Sequence, residues 1–336
     1  MKTFEHGGDI KSFAKKLNCK KKEIIDLSSN INFIKPKIDI DFNTLEISSY
    51  PKYEKLYKSI AKNYKIKDNN LELFNGGSSA IFTLFRHLQL KKCTIYSPAY
   101  LEYKKSAILN SYKINLIDRF ENIYEDIPQN SLVIFVNPST PDGKYYDLEK
   151  LFKIWKKKNA TVLIDESFLD FTKKSSAIKY LKEYKKLYIL KSLTKFYSSA
   201  GIRAGIIISS SKNISQLKKQ EPMWKISQFD SSYIKEALKD KRFKKESLDK
   251  NDKNRKLLQK LLKKQSFIKK VYKSEANFFL VKLKELNAKE LQTKLLKDKI
   301  MIRDCSNFDF LDNSYVRIAV KSKKSIKLFK KALDRI

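Results

Sequence analysis

The sequence predicts an α/β fold, with a large domain built on a mostly parallel sheet and a smaller C-terminal α+β domain. Two observations predict it. From about residue 73 to residue 210, short apolar runs, several of them rich in β-branched residues, alternate with amphipathic helical patterns. From about residue 230, long charged helices replace that alternation. A mostly parallel sheet with helices on both faces binds its ligands at the carboxyl ends of the strands.

The elements can be assigned in chain order. In the large domain the predicted strands are 93–96, 132–136, 161–164, 187–190 and 205–208, and the predicted helices are 79–90, 148–158 and 175–184. In the small domain a long helix precedes strands at 278–283 and 315–320, with a helix at 288–297 between them and another at the end. The chain begins with a short helix and a polar turn at 28–32, which indicate an arm. The predicted divisions are therefore 1–40 (arm), 41–228 (large domain) and 229–336 (small domain).

Composition limits the possible functions. The three cysteines are widely spaced, which suits a reducing cytoplasm. No run approaches the roughly 18 apolar residues needed to span a bilayer, and the first residues do not resemble an export signal. The net charge of +35 raises the question of a nucleic-acid partner, but the lysines are scattered and no zinc-ligand spacing or RNA-binding aromatic signature accompanies them. We therefore expect a cytoplasmic protein without a metal, membrane or nucleic-acid partner, whose charge favours small anionic substrates.

The most informative segment is SLTKFYSSAGIRAG, in which Lys195 lies among the hydroxyls of Ser192 and Thr194, with Arg203 eight residues later. A lysine that follows a strand and lies near hydroxyls and a guanidinium can bind an aldehyde cofactor covalently. The hydroxyls and the guanidinium then neutralise a phosphate on that cofactor. In a lysine-rich chain the run is equally compatible with a solvated basic turn. The interpretation therefore depends on the other parts of a site.

Two further segments come directly after short apolar runs. Gly77 and Ser78 lie in a Gly-Gly-Ser-Ser turn that opens the helix 79–90, where backbone N–H groups can bind an anion. The alternative is that the same sequence is only a glycine turn followed by a serine N-cap. Asp165 ends an apolar strand, and a buried aspartate needs a cationic partner such as a protonated pyridine nitrogen. The alternative is an aspartate that caps the following helix.

Arg317 and the turn 137–143 complete the set. Arg317 alternates with apolar residues on a predicted strand, where a bidentate carboxylate contact would satisfy its charge. An internal Asp or Glu partner would satisfy it as well. The turn, which begins at Asn137 and contains two prolines and a glycine, follows a predicted strand.

Together these segments resemble the fold-type I pyridoxal-phosphate enzymes of the aminotransferase class I/II superfamily, and most closely the branch of histidinol-phosphate aminotransferases and L-threonine-O-3-phosphate decarboxylases. The resemblance covers essentially the whole chain and also includes the segments HGGD at 6–9, SSNIN at 28–32, PAYLEY at 98–103 and IRDC at 302–305. It implies pyridoxal 5'-phosphate as the cofactor and the aspartate aminotransferase-like fold with a seven-stranded sheet. It also implies a homodimer with shared active sites and an arm that closes on the site.

The resemblance implies a role for each matching residue. Lys195 would be the Schiff-base lysine, Asp165 the partner of the pyridine nitrogen, and Arg317 the residue that binds the substrate α-carboxylate. Tyr100, or as second choice Tyr103, would cover the cofactor ring. The cofactor phosphate would be held by Gly77, Ser78, Ser192, Thr194 and Arg203, with Tyr50 reaching it from the other subunit. The candidates for the substrate's own phosphate are His6, Asn30 and Arg303.

One position departs from the family pattern. The turn usually reads N-P-N-N-P-T-G, and the asparagine before its second proline donates to the phenolic oxygen of the cofactor. Thr140 stands at that position here. Its hydroxyl can replace the amide but is shorter, so we expect Asn137 or a tyrosine to share the role.

The reaction depends on which bond at the substrate Cα stands perpendicular to the cofactor ring, and motifs do not encode that pose. The HGG arm, the SLTKFY segment and the IRDC segment resemble the decarboxylase more. We therefore expect a carbon–carbon lyase that converts L-threonine phosphate or L-serine phosphate to aminopropanol phosphate or ethanolamine phosphate. One methyl group separates the two substrates, which permits little discrimination. The alternatives are an aminotransferase acting on histidinol phosphate or a related phosphorylated amine and, from a different class, a basic binding protein on a decayed enzyme scaffold.

Overall fold

The computed structural model of this protein describes residues 7–336. The strands in this range are β1 (Ile25–Asp26), β2 (Leu71–Phe74), β3 (Lys92–Ser97), β4 (Lys113–Asp118), β5 (Leu132–Val136), β6 (Thr161–Asp165), β7 (Leu187–Ser192), β8 (Gly205–Ile208), β9 (Ile268–Val271), β10 (Phe278–Leu283), β11 (Ile300–Met301), β12 (Arg303–Asp304) and β13 (Tyr315–Ala319). The α-helices are α1 (Ile10–Lys16), α2 (Glu54–Tyr64), α3 (Gly76–Leu88), α4 (Leu101–Leu109), α5 (Glu149–Lys157), α6 (Leu193–Phe196), α7 (Ser211–Lys218), α8 (Gln228–Lys239), α9 (Lys241–Leu262), α10 (Ala288–Leu295) and α11 (Lys323–Leu333).

The larger sheet has seven strands in the order β2-β8-β7-β6-β5-β3-β4. Strands β7, β6, β5, β3 and β4 run parallel, whereas β8 is antiparallel to both of its neighbours. Alternate residues of β5 enter different cores: Val133 packs in one that contains Trp155 of α5, and Ile134 packs in the other, which contains Leu84 of α3. The prediction of a mostly parallel seven-stranded sheet with helices on both faces is confirmed.

The smaller sheet is antiparallel, with the order β12-β13-β10-β9. Apolar residues of α9, α10 and α11 pack with its strands in one core, so the prediction of a small α+β domain is confirmed. The short strand β1 of the N-terminal segment pairs in parallel with β11, which joins the arm to this part of the molecule. The domain boundaries placed after residues 40 and 228 stay predictions.

The predicted helix 175–184 is absent from the described structure, where only a short 3-10 turn, Ala177–Tyr180, lies in that stretch. Tertiary contacts hold this segment instead. The carboxylate of Glu166 accepts hydrogen bonds from the Ser176 hydroxyl and from the Ala177 backbone N–H, both at 2.6 Å, and Ile178, Leu181 and Tyr184 pack against a core of the large sheet. Within residues 7–336 we find no helix with both the length and the apolar character that a bilayer crossing requires.

Candidate active site

A cleft of about 390 Å³ lies at the carboxyl ends of β6 and β7, where the sheet topology predicts a ligand site. It is bordered by the N-terminal segment, by the loops of the large sheet and by the β12–β13 pair. The predicted site residues that line it are Asn30, Gly77, Ser78, Tyr100, Thr140, Asp165, Ser192, Thr194, Lys195, Arg203, Arg303 and Arg317. Residues as distant in the sequence as Asn30 and Arg317 therefore meet in one place.

Lys195 lies on the one-turn helix α6, which directly follows β7. Its side chain is half-buried and lines the cleft. Burial lowers the pKa of Lys195, Asp165 opposes that shift, and the charges of Arg317 and Arg203 add to it. The neutral, nucleophilic amine is therefore more accessible than in an exposed lysine.

Asp165 ends β6 with its carboxylate buried, and both oxygens accept hydrogen bonds. The Ser167 backbone N–H donates to Oδ1 at 2.7 Å, and the Tyr103 hydroxyl donates to Oδ2. Burial and the charge of Asp165 raise the pKa of Tyr103, so this hydroxyl keeps its proton and remains a donor. The sequence analysis considered Tyr103 only for covering a ring. Its position three residues after Tyr100 could have indicated that both side chains approach the same site from one face of α4.

An anion-binding cup lies at the start of α3. The first backbone N–H groups of a helix, here those around Gly77 and Ser78, have no partner inside the helix. The hydroxyls of Ser192 and Thr194 lie 2.8 Å apart beside this turn. Gly76 has a φ of +82°, and a Cβ at this residue would collide with the guanidinium of Arg203. Glycine at position 76 is thus required for Arg203 to close the cup.

Tyr100 is the N-cap residue of α4, and its hydroxyl lies 3.3 Å from the Ser78 hydroxyl. Its ring meets the Tyr103 ring edge-on, with centroids 5.9 Å apart. The side chain therefore borders both the anion-binding cup and the carboxylate of Asp165.

Two arginines form the other wall of the cleft. Arg303 of β12 and Arg317 of β13 are directly opposite each other in the antiparallel register, and both are buried. Arg317 donates to the Thr140 hydroxyl at 3.3 Å and to the Ser28 carbonyl at 3.1 Å, while its Nε has no partner among the described residues. Burial lowers the pKa of Arg317 to about 10 and also lowers the pKa of Arg303. Like charges placed directly opposite repel each other, so this wall favours an anionic ligand.

Two of the predicted site residues do not line this cleft. Asn137 is buried behind it, where its amide donates to the Tyr146 carbonyl at 3.0 Å and accepts from the Tyr146 N–H at 2.9 Å. Of the turn 137–143, it is Thr140 that lines the cleft. Tyr50 is 70% exposed on the surface and stacks on Trp224. His6 lies outside the described residues.

A family model described as aminotransferase class I and II matches residues 22–336. The chain belongs to this family. The cofactor of this aminotransferase class I and II protein is pyridoxal 5'-phosphate. A histidinol-phosphate aminotransferase from Sinorhizobium meliloti, solved in complex with that cofactor, has the same fold, with a TM-score of 0.79 at 16% identity over 100% of this chain and 98% of that one.

Relatives with two different activities are similar to the chain. A histidinol-phosphate aminotransferase of Methanocaldococcus jannaschii is 27% identical over 100% of this chain and 95% of that protein. A threonine-phosphate decarboxylase of Salmonella typhimurium is 25% identical over 94% of this chain and 92% of that protein. The crystal structure of a histidinol-phosphate aminotransferase from Clostridium acetobutylicum aligns with a TM-score of 0.82 and 34% identity, over 92% of this chain and 98% of that one.

The cleft fits the cofactor of the family. One end has helix N–H groups, hydroxyls and a guanidinium, a donor set that suits a phosphate. The other end has a buried carboxylate, which suits a protonated ring nitrogen, and an amine whose pKa is lowered by burial, which suits an aldehyde.

Proposed function

We propose that this protein decarboxylates an O-phosphorylated amino acid, either L-threonine phosphate or L-serine phosphate, and releases aminopropanol phosphate or ethanolamine phosphate. The observation that carries the proposal is the pair Arg303 and Arg317, which face each other across β12 and β13 and both line the cleft. A phosphoamino acid brings two anionic groups, a carboxylate and a phosphate, to this wall. Histidinol phosphate brings a phosphate but no carboxylate, so it would leave one of the two arginines without an anion, although the amino acceptor 2-oxoglutarate would bring two carboxylates.

The residues that would hold the cofactor follow from the donor sets of the cleft. Gly77, Ser78, Ser192, Thr194 and Arg203 would bind its phosphate. Asp165, fixed by Tyr103 and Ser167, would keep the proton on its ring nitrogen, and Tyr100 would cover its ring. When bound, the cofactor supplies an electron sink for the bond that breaks at the substrate Cα.

The substrate would be oriented by the arginine wall. Arg317 would bind the α-carboxylate, and its contact with the Thr140 hydroxyl would fix the direction of its guanidinium. Arg303 and Asn30 would bind the substrate phosphate. The side-chain NH2 group of Asn30 would donate to a phosphate oxygen, and its Oδ1, which has no partner among the described residues, can accept a hydrogen bond from a protonated phosphate oxygen. The bond between Cα and the carboxylate breaks and carbon dioxide leaves. The amino group of Lys195, which would first take up a proton from the substrate ammonium group, would then deliver it to Cα.

The second candidate is an aminotransferase that acts on histidinol phosphate or a related phosphorylated amine. It is supported by relatives with that name at identities close to those of the decarboxylase relative. In this reaction Lys195 would remove a proton from Cα instead of delivering one, so the same residues serve both candidates.

The test is to incubate the cofactor-loaded protein with L-threonine phosphate and with L-serine phosphate, and to measure carbon dioxide and the product amine. A parallel reaction contains histidinol phosphate and 2-oxoglutarate. We expect carbon dioxide from a phosphoamino acid and none from the Lys195→Ala variant. Consumption of 2-oxoglutarate with histidinol phosphate, without carbon dioxide from either phosphoamino acid, would overturn the proposal in favour of the aminotransferase.

We further propose that the protein acts as a cytoplasmic homodimer. Two stacked pairs of aromatic rings lie on its surface, Phe42 on Phe229 and Tyr50 on Trp224, each with centroids 3.9 Å apart. All four side chains are substantially exposed, and Met223 beside them is 74% exposed. Exposed apolar patches of this kind are typical of protein interfaces. The three cysteines are free, which suits the reducing cytoplasm.

A further inference from the structure

The helix that bears Lys195 is only one turn long. α6 comprises four residues, and helices of this length do not form without support from other parts of a protein. The carbonyls at the end of a helix also need partners from outside it. Two of them are satisfied locally, since Ser199 donates from its hydroxyl to the Leu193 carbonyl and from its backbone N–H to the Thr194 carbonyl, both at 3.0 Å.

The other two carbonyls of α6 are capped by a residue of the N-terminal segment. The backbone N–H of Asn32 donates to the carbonyl of Lys195 at 3.0 Å. The side-chain amide of Asn32 donates to the carbonyl of Phe196 at 2.9 Å. Asn32 thus caps, from 164 residues away, the helix that presents the reactive amine.

Asn32 is itself held by partners on several elements. Its side-chain amide also donates to the Ser247 hydroxyl of α9 at 2.9 Å, and its Oδ1 accepts from the Ile34 N–H at 3.1 Å. Its carbonyl accepts from the Ser198 hydroxyl at 3.0 Å. The side chain is buried, and every polar atom of it has a partner. An aspartate at this position would lack both donors, and an alanine would lack the acceptor as well.

The two residues before Asn32 are attached to the small domain. The side-chain amide of Asn277 donates to the Asn30 carbonyl at 2.9 Å, and the ammonium group of Lys321 donates to the Ile31 carbonyl at 2.9 Å. The arm segment therefore connects the small sheet to α6. A shift of this segment would move the main chain of Lys195.

We infer that Asn32 is a positioning residue for Lys195: it caps α6 from the arm and fixes the direction in which the amine enters the cleft. The inference rests on the proposed function only in that it takes Lys195 as the reactive amine. Asn32 does not line the cleft. It should therefore affect the chemical step and the protonation of Lys195, and not the binding of substrate.

The test compares Asn32→Ala, Asn32→Asp and the milder Ser247→Ala with a matched control, Asn70→Ala. The amide of Asn70 donates to the Ser209 carbonyl at 2.9 Å, away from the cleft, so its loss reports on a structural asparagine alone. The first readout is the pH at which the visible absorption of the lysine-bound cofactor changes. The others are kcat and KM for the phosphoamino acid substrate and the thermal midpoint of the cofactor-free protein.

We expect Asn32→Ala and Asn32→Asp to lower kcat by about tenfold to a hundredfold, with KM changed by less than about threefold, because a small misplacement of a reacting group is costly. Ser247→Ala should lower kcat by about threefold, in keeping with one lost hydrogen bond. Each of these three variants should shift the pH at which the visible absorption of the lysine-bound cofactor changes. Asn70→Ala should leave that pH unchanged.

Failure of the proposed function and failure of the inference about Asn32 would give different results. If the wild type shows no lysine-bound absorption, the proposed function fails. If the wild type shows it, and the variants keep its pH profile and kcat while losing only thermal stability, the inference about Asn32 is overturned. Should both Asn32 variants fail to fold, Ser247→Ala decides by the same readouts.

Discussion

Lys195 places a basic amino group where water is largely excluded. Burial lowers its pKa, Asp165 opposes that shift, and Arg317 and Arg203 add to it. The unfolded chain keeps the ordinary, higher pKa, so between the two values the unfolded state binds the extra proton. The free energy of unfolding of the cofactor-free protein therefore rises with pH across that range.

We expect Lys195→Met to gain stability relative to the wild type at neutral pH and to lose that advantage as pH approaches the ordinary pKa of lysine. Urea unfolding of the cofactor-free proteins at neutral and alkaline pH measures the difference. Lys153→Met, on the exposed side of α5, controls for the loss of one positive charge. A difference that widens with rising pH would contradict the expected sign.

At the residue scale, the sequence predicted the side chains that follow strand ends and missed those that depend on packing. Asp165 and Lys195 come directly after apolar runs, and the sheet brings them together. The bond between Tyr103 and Asp165 joins residues 62 positions apart, and that between Asn32 and Phe196 joins residues 164 apart. Neither follows from local pattern, because each depends on where a helix or an arm docks.

At the scale of elements, β6 and β7 are joined on the face opposite the cleft by a buried ion pair. The ammonium group of Lys191 lies 2.8 Å from the Glu166 carboxylate, and both side chains are almost fully buried. Burial acts to lower the pKa of Lys191, but the charges of Glu166 and Asp170 outweigh it and the pKa is raised. Glu166 is the residue after Asp165, and Lys191 is the residue before Ser192. The ion pair therefore fixes the strand ends that bear these two site residues.

We expect Lys191→Met to lower the free energy of unfolding by about 3–5 kcal/mol, because it leaves the Glu166 carboxylate buried without a cation. The double variant Lys191→Met/Glu166→Gln should recover part of that loss, since the uncompensated charge is gone. Urea unfolding measures both, and Lys153→Met, which removes one partner of an exposed pair, should change stability by less than about 1 kcal/mol. A double variant no more stable than the single one would show that the charge is not the cause.

Apolar patterning predicted most elements well. The predicted strands 132–136, 205–208 and 278–283 have the bounds observed for β5, β8 and β10. The failure at 175–184 has a different origin, because tertiary contacts, among them the hydrogen bonds of the Glu166 carboxylate with the Ser176 hydroxyl and the Ala177 N–H, hold a sequence with helical periodicity in a non-helical path. Short pairings such as β1 with β11 involve two residues on each strand, too few to produce a pattern in the sequence.

At the scale of the whole molecule, the exposed aromatic surface is the feature that the single chain leaves unexplained. We expect Trp224→Glu, which places a charge in the Tyr50–Trp224 stack, to shift the protein from dimer to monomer in sedimentation velocity experiments. Leu328→Glu, at an exposed leucine of α11, is the control and should leave the dimer intact. A wild type that sediments as a monomer at micromolar concentration would contradict the proposed assembly.

The proposed dimer would also account for the position of Tyr50, which is exposed and does not line the cleft of its own chain. If its hydroxyl reaches the cofactor phosphate in the other subunit, Tyr50→Phe should weaken cofactor binding by about fivefold, the value of one ordinary hydrogen bond, without changing the sedimentation of the protein. Trp224→Glu should weaken cofactor binding at least as much, because the monomer loses the whole partner contribution. Equilibrium titration of the cofactor-free variants measures both. Equal cofactor affinity in the wild type, the Tyr50 variant and the monomer would show that each chain builds its phosphate site alone.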